Sequence, residues 1–265
     1  VPFYVFFNAI PYHKENIDIT PVQFYQKLHE EKNLPKTSLP SIQDYMDIFE
    51  SFLKQGIDIL CFCLTKKFSG SYQSAVNAQN ILAESYPERK IRIIDSISAT
   101  AGEGLLVYEA CRMKEAGMTI DEVCEKVELL KHTSKINFTV DSLEYLQKGG
   151  RIGKAASLAG SILNIKPIMV LEKGELYPAS KVRGRKKAFK TLVEMTQNEL
   201  GANKDAYQIV LLHGENPSSD DEMQELLQEA GLTASPEGWY VGVTIGVHAG
   251  PTPTGIAYIK KYEYL

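Results

Sequence analysis

Two hydroxyl-bearing loops are the first places where this chain could do chemistry. Thr37 and Ser38 stand in Pro35-Lys36-Thr37-Ser38, just before Leu39-Pro40 and between two helical patterns. Ser69, Gly70 and Ser71 follow the apolar run DILCFCLTKKF and lead into another helical pattern. A serine at such a junction donates from its hydroxyl, and the free amides of a helix start favour an anion. The same residues also suit plain work, since Ser and Thr bond their own backbone in turns and cap helices. His248 is the third candidate. It ends the apolar run 240–247, read here as a strand, and precedes Gly250-Pro251. A histidine in that position is commonly structural. His13, His29, His132 and His213 have no partners at useful spacing. The fourth candidate is a basic set, Arg151, Lys154, Lys181, Arg183, Arg185, Lys186 and Lys187. Such a set is ordinarily a solvated face, and its sharper use is to meet phosphate or an acidic protein surface.

Nothing catalytic accompanies these loops. There is no GxxxxGK[ST] phosphate loop, and Gly102-x-Gly104 lacks the third glycine of a dinucleotide fingerprint. The GxSxG elbow, HExxH and a readable carboxylate pair are missing too. Ser69 has no histidine beside it in sequence, so only a distant one such as His248 could approach it. Cys61, Cys63, Cys111 and Cys124 form no CxxC and no metal spacing, and they read as buried, reduced thiols. A chain rich in shaping residues and poor in catalytic ones suggests binding. No metal or cofactor is expected.

Periodicity predicts the elements that hold these residues. Residues 1–9 read as a strand and 12–18 as a loop. Thr20-Pro21 opens a helix to about residue 30. Residues 34–40 read as a loop. Ser41 caps a helix with Ile42, Tyr45, Met46, Phe49 and Leu53 at helical spacing, ended by Gly56. The continuous apolar run 57–65 suits a parallel strand covered on both faces. A helix from Ser71, a strand over 90–95 and a helix over 101–116 follow, the last closed by Gly117. Thr119-x-x-Glu122 is a capping box for a helix to about 131. This alternation argues α/β layers.

The pattern changes after Ser134. A strand over 136–141 precedes a short helix over 142–148 stopped by Gly149-Gly150. A helix over 155–163 and a hairpin of 167–171 with 175–182 around Lys173-Gly174 follow. Then come a helix over 184–200, a strand over 207–213, a helix over 219–230, and strands over 240–247 and 255–262. This half predicts α+β structure with antiparallel pairing. The expected domains are 1–132, a parallel α/β unit, and 133–265, an α+β unit.

With 265 residues the chain has ample core for one large domain or two smaller ones. Its net charge of -4 gives no global bias toward nucleic acid or an anionic membrane. No apolar stretch is long enough to span a bilayer, and VPFYVFFNAI lacks a basic segment and a cleavage site. The expected location is the cytoplasm. The chain opens inside a strand, so a segment upstream is expected.

The motifs, taken in order, resemble the DegV family of bacterial fatty-acid-binding proteins. The matching pieces are Asp18-Ile19-Thr20-Pro21, Thr37-Ser38-Leu39-Pro40, Ser69-Gly70-Ser71-Tyr72-Gln73-Ser74-Ala75 and Asp95-Ser96. They continue with Asp141 to Ile152 (DSLEYLQKGGRI), Leu163 to Ile168 (LNIKPI), Lys181-Val182-Arg183-Gly184-Arg185 and Gly246 to Pro251 (GVHAGP). The family usually begins with an earlier strand and an Asp-Ser-Thr-type loop, which this sequence does not display. Members often carry Thr, Gln and Thr where Ser71, Leu39 and Ala249 stand here.

The resemblance implies a two-domain α/β protein that holds one long-chain fatty acid, such as palmitate, in a tunnel between its domains. It implies Thr37 and Ser69 as carboxylate ligands, with Ser38, Gly70 and Ser71 beside them and His248 behind. It further implies that some members carry the acid for lipid metabolism and present it to a fatty acid kinase. Arg151, Arg183, Arg185 and Lys187 would then dock that partner or steady an acyl phosphate. The alternative is an enzyme, either a Ser69-based acyl hydrolase or a phosphotransferase subunit.

Overall fold

Among the described residues, the first half of the chain builds two small sheets and five helices. The computed structural model describes residues 1–7, 12–30, 34–158 and 164–265. Strand β1 (Tyr4–Phe6) is the centre of a three-stranded antiparallel sheet, flanked by β2 (Tyr12–Lys14) and β3 (Lys36–Ser38). Both flanking strands lie where the sequence predicts loops. Short polar strands carry no apolar alternation. Tyr12-His13-Lys14 and Lys36-Thr37-Ser38 become strands only because β1 offers both edges, with Val5 opposite Thr37. The predicted strand over 1–9 is three residues long, and residues 8 and 9 lie outside the described residues.

Local chemistry sets the helices between them. In α1 (Pro21–Glu30), Thr20 Oγ1 accepts the Gln23 N–H at 3.3 Å while Gln23 Oε1 accepts the Thr20 N–H at 2.9 Å. Ser41 and Asp44 form a full capping box on α2 (Ile42–Leu53). Strand β4 (Ile59–Cys63) pairs in parallel with β5 (Ile91–Asp95), and α3 (Ser71–Ser85) crosses between them. Only Cys63 of β4 is buried, so the expectation of full cover on both faces does not hold. The strand has one hydrogen-bonded neighbour among the described residues, which leaves its flank half-open. All four thiols are free, but Cys111 is exposed and Cys61 and Cys124 are half-buried, contrary to the expected burial. Helices α4 (Thr100–Glu115) and α5 (Ile120–Leu130) complete this half, with the predicted Thr119–Glu122 capping box in place.

The second half is one six-stranded sheet. It comprises β6 (Lys135–Thr139), β7 (Ile165–Glu172), β8 (Glu175–Arg183), β9 (Tyr207–His213), β10 (Trp239–Tyr240) and β11 (Thr254–Lys260). Their order is β10-β9-β11-β6-β7-β8, antiparallel except for β10 with β9. Helices α7 (Arg185–Leu200) and α8 (Ser219–Glu229) cover one face, where Phe189, Leu192 and Met223 meet Leu211, Ile256 and Tyr258. Helix α4 covers the other face. Its Leu105, Leu106 and Met113 share a core with Phe138, Met169, Val210 and Ala257. The molecule is therefore a mixed α/β fold with both parallel and antiparallel sheets.

Two predicted elements change. The helix expected over 155–163 is a 3-10 segment, Gly153–Leu158, and 159–163 lie outside the described residues. The strand expected over 240–247 is only the last residue of β10 (Trp239–Tyr240) and then α9 (Val243–Ala249). Val243, Thr244, Ile245 and Val247 are β-branched, and such residues favour strands. Tertiary packing overrides that preference. Gly242 starts the helix, Gly250 ends it at φ 79°, and Gly246 lets α1 approach. A Cβ at Gly246 would lie 2.7 Å from the Phe24 ring. His248 thus sits in the last turn of a helix and does not close a strand.

Candidate functional site

Separate segments of the chain converge on one cavity of about 230 Å³. Strand β3 supplies Thr37 and Ser38. The loop from β4 to α3 supplies Phe68, Ser69 and Gly70. The turn after α6 (Glu144–Lys148) supplies Arg151, and α9 supplies Thr244, Ile245 and His248. Thr244 and His248 are four residues apart on a helix and so share one face. Reading that segment as a strand hid the relation. No sequence signal marked Phe3 or Leu146, which also line the cavity.

Thr37 and His248 are directly joined, with Oγ1 and Nε2 3.0 Å apart. Burial, reinforced by the nearby Arg151 guanidinium, pushes the His248 pKa down to about 4. The imidazole is therefore neutral at pH 7. Its Nδ1 is buried with no partner among the described residues. A buried N–H without an acceptor costs more than an idle lone pair, so the proton belongs on Nε2, where it meets Thr37. Thr37 can then turn its own O–H into the cavity.

The Gly149-Gly150-Arg151 turn has a distinct use for each residue. A Cβ on Gly149 would collide with His248 Nδ1, so only glycine lets the turn pack on the imidazole. Gly150 has φ 69°, a left-handed conformation that disfavours side chains. Arg151 donates from Nε to the Phe68 carbonyl at 3.1 Å and from Nη1 to the Gly149 carbonyl at 2.7 Å. These bonds pin the Ser69 loop to the turn. The loop is held a second time where Thr65 Oγ1 donates to the Gly174 carbonyl at 3.2 Å.

Ser69 Oγ accepts the Ser71 N–H at 3.1 Å, which leaves its hydroxyl proton for the cavity. Gly70 is the N-cap of α3 and lines the cavity. Ser71 is buried outside the lining, and its hydroxyl has no partner among the described residues. Ser38 lines the cavity and is otherwise exposed.

Two further cavities border this one. An apolar cavity of about 60 Å³ shares Phe68, Leu146 and Ile245 with it and extends inward to Phe138, Leu171 and Leu212. An outer cavity of about 430 Å³ shares Thr37, Arg151 and His248 and is lined by Lys36 and Lys148. The cavity that carries the hydroxyls thus has an apolar neighbour on one side and a cationic vestibule on the other.

The basic set divides. Arg151 lies in the wall, whereas Lys154 pairs with Glu175 at 2.9 Å. Arg183, Arg185 and Lys187 are exposed and line none of these three cavities. Gly153 faces Leu176 on β8, and at strand rise the seven residues on to Arg183 span roughly 20 Å. Among the described residues no group of His, Cys, Asp and Glu could hold a metal ion, and no helix is long and apolar enough to cross a membrane.

The family model of uncharacterised proteins of the DegV family matches residues 1–261. The chain belongs to the DegV family. A DegV domain-containing protein of Clostridium perfringens is 38% identical over 239 residues, 89% of this chain and 81% of its own length. Among solved structures, a stearic-acid-binding protein from Eubacterium ventriosum superposes with a TM-score of 0.94 at 36% identity, covering 100% of this chain and 92% of that one. A fatty-acid-binding DegV protein from Thermus thermophilus gives 0.87 at 28%, covering 98% and 91%. A DegV protein from Ruminococcus gnavus solved with vaccenic acid gives 0.84 at 27%, covering 97% and 90%. The DegV fold is thus shared along the whole chain, and these relatives hold single-chain acids.

Proposed function

We propose that this DegV protein binds one long-chain fatty acid and carries it in the cytoplasm. Its carboxylate meets the hydroxyls of Thr37 and Ser69, with Ser38 and Gly70 beside them, and its tail enters the apolar cavity between the two halves of the chain. The carrying observation is that a cavity bearing hydroxyls adjoins an apolar one, the two sharing Phe68, Leu146 and Ile245 in their walls. Only an amphiphile suits both. The relatives solved with stearic and vaccenic acid support the same class.

The energetics agree. Burying about fourteen methylenes at ~0.8 kcal/mol each gives roughly 11 kcal/mol gross, and immobilising the ligand removes a large part of it. The carboxylate needs partners, because burying it bare costs several kcal/mol. Neutral His248 orients Thr37 by donating from Nε2, and the Arg151 charge lies in the same wall.

The cationic vestibule supports a finer reading. A carboxylate held from inside by hydroxyls leaves an oxygen toward Lys36, Lys148 and Arg151, where a kinase could deliver a phosphoryl group. Arg183, Arg185 and Lys187 are then the partner-docking surface. A Ser69 hydrolase fits less well. His248 Nε2 is engaged by Thr37 and not by Ser69, so the serine lacks its base.

Native mass spectrometry of the protein purified from a bacterial host tests the reading. One co-purified fatty acid per chain is expected. An empty protein that cleaves acyl esters would overturn it.

A further inference from the structure

Among the described residues, the apolar cavity has one polar side chain in its lining, Thr100. Thr100 is the half-buried first residue of α4, and its hydroxyl takes part in none of the side-chain hydrogen bonds found among the described residues. Two threonines inside α7 return theirs to the preceding turn. Thr191 donates to the Lys187 carbonyl and Thr196 to the Leu192 carbonyl, each at 2.9 Å. Thr100 has no turn behind it.

The backbone that presents Thr100 is strained. Ile97 has φ 47° and Thr100 φ 51°, a region in which β-branched residues are outliers. Such conformations persist only where the surroundings over-determine them. Here the Thr65 N–H binds the Ser98 carbonyl at 2.8 Å, Asp95 Oδ1 accepts the Ile97 N–H at 3.0 Å, and the Gly102 N–H binds the Ala99 carbonyl at 3.1 Å. Thr65 begins the loop that carries Ser69, so the head-group loop and the Thr100 ledge are one rigid unit. Phe138, Leu171 and Leu212 line the same cavity and offer the hydroxyl no protein acceptor from their side chains.

We propose that Thr100 is a specificity-determining residue that reads the interior of the acyl chain, favouring a chain bearing an oxygen along its length over a saturated one. This rests on the fatty-acid reading above. A saturated tail packed over Thr100 leaves its hydroxyl unpaired in an apolar space, and a chain hydroxyl or carbonyl satisfies it. A site built around such a bond discriminates far better than one that measures volume.

The test compares stearic acid with monohydroxystearic acids that differ in hydroxyl position, by titration calorimetry on wild type, Thr100→Val and Thr100→Ser. One hydroxyl position should bind wild type best. Thr100→Val should tighten stearate, weaken that hydroxy acid and shift their affinity ratio by about tenfold. Thr100→Ser should keep the wild-type ratio, and ligand-free melting of each variant verifies folding. Normal stearate binding with an unchanged ratio in Thr100→Val overturns this inference alone. Failure of wild type to bind any fatty acid removes the carrier reading with it.

Discussion

At the scale of single residues, the proposed carboxylate site rests on two hydroxyls held by neutral partners, Thr37 by His248 and Ser69 by the Ser71 N–H. Thr37→Val and Ser69→Ala should each weaken fatty-acid binding by roughly 1.5–3 kcal/mol, the value of a hydrogen bond to a charged group. Titration calorimetry reads this directly, and unchanged affinity in both variants would refute the carboxylate assignment. His248 makes a separate, pH-dependent prediction. Its folded pKa is about 4 against an ordinary 6.5. Between those values the unfolded chain binds the proton and the folded chain does not. Stability should therefore rise with pH across that window and lose this contribution as pH falls toward 4. His248→Asn should flatten the slope in denaturant titrations followed from pH 4 to 7. Parallel curves for variant and wild type would mean the imidazole is not desolvated. Nitrogen NMR should also find the ring neutral at pH 7 with its proton on Nε2.

At the scale of elements, the turn after α6 separates packing from backbone conformation. Gly149→Ala places a methyl against the His248 ring, and Gly150→Ala places one in open space at φ 69°. The first should cost about 1–3 kcal/mol of stability by overpacking and lower ligand affinity with it. The second should cost about 1 kcal/mol through strain and leave affinity alone. Denaturation and calorimetry on both variants decide, and equal affinity losses would contradict this division. The turn was conspicuous in sequence as Gly-Gly-Arg, but its target was not. His248 lies almost a hundred positions later on α9, an element whose β-branched composition argues for a strand. Similarly, Ser41 and Thr119 were legible as caps because their partners, Asp44 and Glu122, lie three residues away.

Across the whole molecule, α4 joins the two halves. Beyond its apolar face, Glu109 is fully buried and takes Arg112 Nη1 on both carboxyl oxygens at 2.9 Å and the Tyr262 N–H at 2.9 Å. Arg112 also reaches Glu263, so the pair clamps the C-terminal turn to α4. Arg112→Met should destabilise by about 3 kcal/mol, because it strands a buried carboxylate. Chemical denaturation checks it, and a loss under ~1 kcal/mol would show the pair is dispensable. The surface basic cluster belongs to the same scale. Arg183→Glu with Lys187→Glu should keep fatty-acid binding, since these residues lie away from the cavities, and abolish acceptance by a fatty acid kinase. Joint loss of both activities would mean a structural role, and full retention would leave the cluster as solvated surface.

Composition, periodicity and short-range caps were enough to establish the mixed α/β class and the antiparallel second half, because each depends on patterns within a few residues. The order of motifs carried the family. What folding alone decided is who meets whom. Strand β3 exists because β1 has a free edge, α9 is helical because Gly246 lets α1 pack on it, and Arg151 joins Thr37, Ser69 and His248 through a turn only glycine can make. Those contacts span tens to hundreds of positions, and no local pattern encodes which distant surface will bury a given face.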